Sequence, residues 1–178
     1  KIYGKFGVQK FILTLGYKGE TIKKYFADYH YLLNDYTLNL KSGGIQTHSD
    51  NMDDWTFTFA ETGLETQTGE RLMRIRHLLD GEKCFMVTYG DGVADINLAE
   101  LLAFHRTCGK IATVSGGHGH TKYGLLEVDT TGRVRSFAQK PRLPDYINIG
   151  FMVLEPAVFR YLQPGDAIED ALTRLAQD

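Results

Sequence analysis

The chain has 178 residues, 43% hydrophobic and 24% charged, which suits one folded domain with a real core and excludes a disordered chain. Its net charge of −2 supplies no electrostatic attraction to nucleic acid or an anionic membrane, so neither is expected as a partner. No apolar run approaches bilayer length, no secretory signal opens the chain, and Cys84 and Cys108 form no CxxC or metal pattern, which predicts a reduced, cytoplasmic protein.

Residues 1–7 read as the end of a helix, with Gly7 as its stop. Phe11-Ile12-Leu13-Thr14-Leu15-Gly16 is a buried strand, and Tyr17-Lys18-Gly19 turns into a helix from about Glu20. Ile22, Tyr25, Phe26 and Tyr29 keep helical spacing, which Leu32 and Leu33 extend. Residues 37–40 and 45–48 read as two modest strands or a hairpin around Ser42-Gly43-Gly44. Trp55, Phe57 and Phe59 alternate with threonines, which predicts a strand with one buried face. Thr68 is placed to cap a helix carrying Leu72, Ile75, Leu78 and Leu79. Arg71, Arg74 and Arg76 on or near that helix read as a solvated basic face.

Cys84-Phe85-Met86-Val87-Thr88-Tyr89 is a short unbroken apolar run, the pattern of a central strand buried on both faces of a parallel sheet. Gly90-Asp91-Gly92 then turns the chain. Ligands in open α/β sheets bind past the carboxyl ends of strands, so Asp91 stands where a metal or phosphate would be handled. The alternative is that Asp91 only caps the next helix. A helix is predicted over 98–107, with Leu101, Leu102 and Phe104 toward the sheet and Gly109 ending it. Residues 111–115 form a short strand. Gly116-Gly117-His118-Gly119-His120 is expected to be a flexible loop, because the two histidines lack a third ligand at metal spacing. Residues 125–129 and 134–137 make a hairpin about Thr131-Gly132. Residues 147–154 are a strong strand, Pro156 starts a short helix, and a last helix covers about 167–176. Strand alternating with helix in the first hundred residues predicts an α/β fold with a Rossmann-like mixed, mostly parallel sheet.

Several of these pieces together resemble the sugar-1-phosphate nucleotidyltransferase family, and within it the glucose-1-phosphate cytidylyltransferases. They are Gly16-Tyr17-Lys18-Gly19 before Ile22-Lys23-Lys24-Tyr25-Phe26; Glu61-Thr62-Gly63 with Thr66-Gln67-Thr68-Gly69 and Arg71-Leu72; Tyr89-Gly90-Asp91-Gly92-Val93-Ala94-Asp95; Tyr123-Gly124-Leu125; Val134-Arg135-Ser136-Phe137 with Gln139-Lys140-Pro141; and Asn148-Ile149-Gly150-Phe151. The resemblance covers nearly the whole chain. It implies one nucleotidyltransferase-like domain over 1–178, with 1–110 as the nucleotide half and 111–178 as the sugar-phosphate half. It implies transfer of CMP from CTP to glucose-1-phosphate with Mg2+, giving CDP-glucose and pyrophosphate.

The same resemblance implies residue roles. Asp91 would be the metal ligand. Thr68, Gly69, Tyr89 and Gly90 would bind the nucleotide. Gly124, Lys140, Asn148, Gly150 and Glu169 would bind the sugar phosphate, with Lys140 as the catalytic charge. Against the family pattern, a Gly-Thr-Arg phosphate loop and a second metal-binding aspartate have no counterpart here, so the fold reads as truncated at both ends. Little turnover is therefore expected from these 178 residues alone. Glu70 stands where a second glycine is expected, and Gln139 where a glutamate is common. A sugar-phosphate-binding module without turnover, or an assembly protein retaining only the fold, are the competing readings. Strands 11–16 and 84–89 would each present an unpaired edge, which predicts a homo-oligomer, most simply a two-fold dimer.

Overall fold

In the computed structural model, which describes residues 1–178, the chain packs as two units, one of residues 1–81 with 159–178 and one of residues 82–158. The first unit opens on a 3₁₀ turn, Tyr3–Phe6, closed by Gly7 at φ 80°. Strand β1 (Lys10–Leu15) leads into helix α1 (Gly19–Ala27), a break at Asp28, and helix α2 (Tyr29–Leu33). The predicted single helix is thus divided, and Lys24 reaches the Asp28 carboxylate at 2.9 Å across the break. Tyr29 is buried there, whereas Tyr25, Leu32 and Leu33 are exposed. A short antiparallel hairpin comes next, β2 (Tyr36–Leu38) and β3 (Ile45–Thr47), in the register Tyr36 to Thr47.

Strand β4 (Thr56–Glu61) returns parallel to β1, Lys10 opposite Thr56 and Leu15 opposite Glu61. Alternation puts Phe57 and Phe59 on one face, where the Phe26 ring of α1 lies 4.3 Å and 5.5 Å from them. Helix α3 (Thr68–Arg74) and a 3₁₀ turn, Arg76–Leu79, bury Leu72, Ile75 and Leu79, while Leu78, which helical spacing also selects, is exposed because the helix gives way to the 3₁₀ turn.

The second unit is organised on a different strand from the one the apolar pattern singled out. Strand β5 (Phe85–Thr88) is half-buried and stands at one edge of a three-stranded sheet. Helix α4 (Leu98–Cys108) is capped by Asn97, whose Oδ1 accepts from the N–H groups of Ala99 and Glu100, and closed by Gly109 at φ 59°. Leu98 and His105 are its buried residues, and Phe104 is exposed rather than turned to the sheet. His105 Nδ1 meets Thr113 Oγ1 at 2.8 Å, which satisfies a ring nitrogen that burial would otherwise orphan.

Strand β6 (Ala112–His120) runs straight through the glycine-rich stretch expected to be a loop. After the hairpin of β7 (Leu125–Val128) and β8 (Val134–Ala138), strand β9 (Arg142–Leu154) pairs antiparallel with both β6 and β5. Phe151, Met152, Val153 and Leu154 are each at most 1% exposed, so β9 is the central strand. The glycines of β6 admit β9 side chains: a Cβ on Gly117 would stand 3.0 Å from Ile149, and one on Gly119 3.0 Å from Ile147. His118 and His120 are held within the unit, donating from Nδ1 to Leu143 O at 3.0 Å and Lys140 O at 3.2 Å.

The α/β class stands, with both parallel and antiparallel pairing; the parallel pair, β1 and β4, forms a sheet of its own and the other three sheets are antiparallel. The two strands expected to present unpaired edges, β1 and β5, belong to different sheets, and each ends its sheet with one ladder edge unpaired. Division by packing also differs from division by chain position at residue 110. A 3₁₀ turn, Pro156–Arg160, replaces the predicted helix, and helix α5 (Ile168–Leu175) packs in the first unit, burying Ile168 and Ala171. No helix is long and apolar enough to cross a membrane.

Candidate functional site

Within the second unit, β5 runs out into Tyr89-Gly90-Asp91-Gly92, a turn closed by Gly92 N–H donating to Tyr89 O at 3.2 Å. The space a side chain would fill at Gly90 is open, and Asp91 is exposed. Thr88 pairs with Phe151, which sets the end of β5 beside an irregular stretch of β9. Gly150 sits there at φ 82°, a conformation that favours glycine, and a Cβ on it would stand 2.6 Å from Tyr89 Cδ2. Asn148 Oδ1 accepts from Gly150 N–H at 2.8 Å. That bond commits the acceptor end of the carboxamide to the backbone and leaves its amino end as the group available to a ligand oxygen. The structure thus brings Tyr89 and Gly90, assigned to the nucleotide, together with Asn148 and Gly150, assigned to the sugar.

Lys140 and Gly124 lie around the β7–β8 hairpin. Lys140 is exposed and left-handed at φ 47°, one of two non-glycine residues at positive φ, the other being Lys18 in the turn after β1. Such a backbone persists only where its surroundings hold it. Here His120 donates to Lys140 O at 3.2 Å, and Thr121 N–H donates to Pro141 O at 3.1 Å. Gly124 has an internal reason to be glycine, since a Cβ would stand 2.6 Å from the Phe137 ring of β8 and 3.1 Å from Gln139 Oε1.

In the first unit, Thr68, Gly69 and Glu169 stand at the starts of α3 and α5. Thr68 does not cap its own helix; Gln67 is the N-cap residue and makes no side-chain cap bond. Thr68 Oγ1 instead accepts from Ile168 N–H at 3.0 Å. A Cβ on Gly69 would stand 2.7 Å from Leu162 Cδ2 and 2.8 Å from Ala167 O, so only glycine permits this approach. Glu70 N–H donates to Asp166 O at 3.1 Å and Glu70 Oε2 accepts from Gly165 N–H at 3.0 Å, which accounts for a carboxylate where a glycine was expected.

Arg74 and Arg76 are exposed, but Arg71 is partly buried and is not part of a solvated face. Arg71 Nη1 donates to Leu15 O at 3.0 Å and to Thr62 Oγ1 at 2.6 Å, and Nη2 donates to Leu64 O at 3.3 Å. It ties together the carboxyl ends of β1 and β4, where parallel strands hold ligands. Gly16 makes room for it, since a Cβ there would stand 2.7 Å from Arg71 Nη2. Arg74 donates to Thr62 O at 2.7 Å and to Glu70 Oε1 at 2.5 Å, and the Arg76 guanidinium lies 5.4 Å from the Phe159 ring centroid. Helical spacing placed these arginines correctly but carries no sign of partners such as Leu15 O, which lies far away in sequence. An open aromatic cleft of about 460 Å³, lined by Phe26, Tyr29, Met52, Trp55, Phe57 and Phe59 among others, contains none of the predicted site residues.

Arg74 beside Glu70, together with Gly165 N–H, holds the Glu70 carboxyl below its usual value of 4.5 against the opposing effect of burial. A depressed folded value means that Glu70 adds stability above pH 4.5 and loses that contribution as pH falls through the folded value. Glu70→Gln is expected to lower the urea midpoint at neutral pH, and the gap from wild type should close on acidification. A gap that stays constant with pH would assign the effect to hydrogen bonding without charge.

Residues 34–178 match the Nucleotidyl transferase family. A probable glucose-1-phosphate cytidylyltransferase of Bacillus subtilis is 41% identical over all of this chain and 70% of its own length. The glucose-1-phosphate cytidylyltransferase of Salmonella typhi is 37% identical over 89% of this chain, which spans 62% of that relative's length. Among solved structures, HddC from Yersinia pseudotuberculosis superposes with a TM-score of 0.62 at 19% identity, covering 94% of this chain and 65% of HddC, a likeness of fold. The chain belongs to the nucleotidyl transferase family, among the sugar-1-phosphate nucleotidyltransferases.

Proposed function

We propose that the protein transfers CMP from CTP to glucose-1-phosphate, forming CDP-glucose and releasing pyrophosphate. The observation that carries this reading is the 41% identity to the Bacillus subtilis relative across all of the chain. Geometry supports it in each unit: an exposed Asp91 on an open Gly-Asp-Gly turn beside Asn148 and Gly150, and glycine-rich strand ends tied by Arg71. In the reaction an oxygen of the sugar phosphate bonds to the α-phosphorus of CTP. The bond from that phosphorus to the bridging oxygen breaks, and pyrophosphate leaves with the electron pair.

Two anions must approach for this to happen. Lys140 supplies a cation for the sugar phosphate, and its constrained backbone limits where the side chain can reach. The Asn148 amino group and the Glu169 carboxylate suit sugar hydroxyls. Tyr89, Gly90, Thr68 and Gly69 serve the nucleotide. Asp91 fits Mg2+, which takes one or two carboxylates and completes its shell with substrate phosphates and water rather than a protein cage. When bound, Mg2+ would offset phosphate charge.

Product analysis with each of CTP, UTP, GTP and ATP should give CDP-glucose in preference to the other nucleotide sugars. Lys140→Ala is expected to lower kcat/KM for glucose-1-phosphate about 100-fold. In metal-free titrations it should weaken glucose-1-phosphate binding more than Asp91→Ala does. Binding of another sugar phosphate or nucleotide in preference to these two would overturn the substrate assignment.

A further inference from the structure

We propose that Thr68 is a positioning residue for Glu169, so that a residue of the nucleotide motif sets how the protein holds the sugar. The inference rests on the function proposed above. Helix α5 lacks a cap of its own. It begins after Ala167, whose methyl group can accept no hydrogen bond, and Asp170 closes back only onto Ala167 N–H, at 2.8 Å. The first N–H of the helix, Ile168, therefore needs an acceptor from elsewhere. Thr68 Oγ1 provides it at 3.0 Å, a hundred residues away in sequence.

That bond is the last of a series. Glu70 N–H donates to Asp166 O, the Glu70 carboxylate accepts from Gly165 N–H, and Gly69 lies close against Ala167 O. Residues 68–70 and residues 165–168 are thus joined by one backbone–backbone and two side chain–backbone bonds. Glu169 immediately follows Ile168. Its Cα and the direction of its side chain are set by the first turn of α5, and the outermost acceptor of that turn belongs to Thr68. Removing that acceptor leaves the first N–H of α5 unpaired and frees the turn to fray, moving the carboxylate away from the sugar hydroxyls.

The test is calorimetric titration of the 178-residue chain and its variants with glucose-1-phosphate and, separately, inorganic phosphate, which lacks the sugar ring and the sugar hydroxyls that Glu169 would hold. Thr68→Val should weaken glucose-1-phosphate binding about fivefold and leave phosphate binding unchanged. Thr68→Ser, which keeps the acceptor, should bind like wild type. Adding Ala167→Ser to Thr68→Val gives α5 a cap of its own and should restore affinity. In a Glu169→Gln background, Thr68→Val should have no further effect. Equal loss of both ligands, an unaltered glucose-1-phosphate affinity, or full additivity with Glu169→Gln would each overturn the positioning role while leaving the proposed reaction intact. Should Thr68→Val fail to fold, the Ala167→Ser double variant and Thr68→Ser still decide it, since loss of binding in either contradicts the proposal. A wild-type chain that binds phosphate but not glucose-1-phosphate would overturn the proposed substrate, and this inference with it.

Discussion

Gly150→Ala is expected to destabilise the unit of residues 82–158 by about 3 kcal/mol, through two separable effects. The first is local. At φ 82° a non-glycine residue meets its own carbonyl, at a cost of roughly 1–2 kcal/mol. The second is packing. The new Cβ would stand 2.6 Å from Cδ2 and 3.1 Å from Cε2 of the Tyr89 ring, and overpacking of this kind costs roughly 1–3 kcal/mol. The ring is the side that must yield, because Gly150 lies next to four residues of β9 that are at most 1% exposed. Denaturant unfolding of Gly150→Ala, alone and combined with Tyr89→Ala, separates the terms. Removing the ring should return the packing part and leave the backbone part. A single variant as stable as wild type would mean that β9 does not keep this conformation.

Arg71→Met should cost about 2 kcal/mol, the scale of hydrogen bonds made by a charged donor to partly buried oxygens. The guanidinium serves Leu15 O, Thr62 Oγ1 and Leu64 O at once, a fork that methionine cannot replace and lysine replaces only in part. Thr62 is 1% exposed, so its hydroxyl has no water to turn to, although it keeps its own bond to Leu15 O at 2.8 Å. Arg76→Met is the control. That side chain only lies over the Phe159 ring, and its loss should cost less than about 1 kcal/mol. Thermal or urea unfolding of the two variants checks the contrast. Equal effects would mean that Arg71 contributes bulk and charge rather than directed bonds.

The two arginines also mark how far a sequence can be read. Both fall on or near a helix rich in basic residues, and nothing in the spacing separates them. The difference between them comes from the return of β4 alongside β1, which presents backbone oxygens to Arg71. The glycine-rich stretch 116–120 shows the same limit. Local preference argued for a loop, because glycine loses most entropy on ordering. The strand forms because β9 lies alongside it and fills the space above the glycines with Ile147 and Ile149.

Sequence by itself determined most of the elements, since periodicity and turn glycines are local physics: β1, α1, both hairpins, α4 with its Gly109 stop, and α5. Its motifs also carried the family and the residues proposed for the site. Tertiary structure alone decided that β9 and not β5 is central, because two short apolar runs look alike until their neighbours are known. It decided that residues 159–178 pack with the first unit, and that the first N–H of α5, beside Glu169, is held by Thr68. The physical reason is common to each case. A hydrogen-bond donor or an apolar face specifies that it must be paired, and only the packed chain specifies with what.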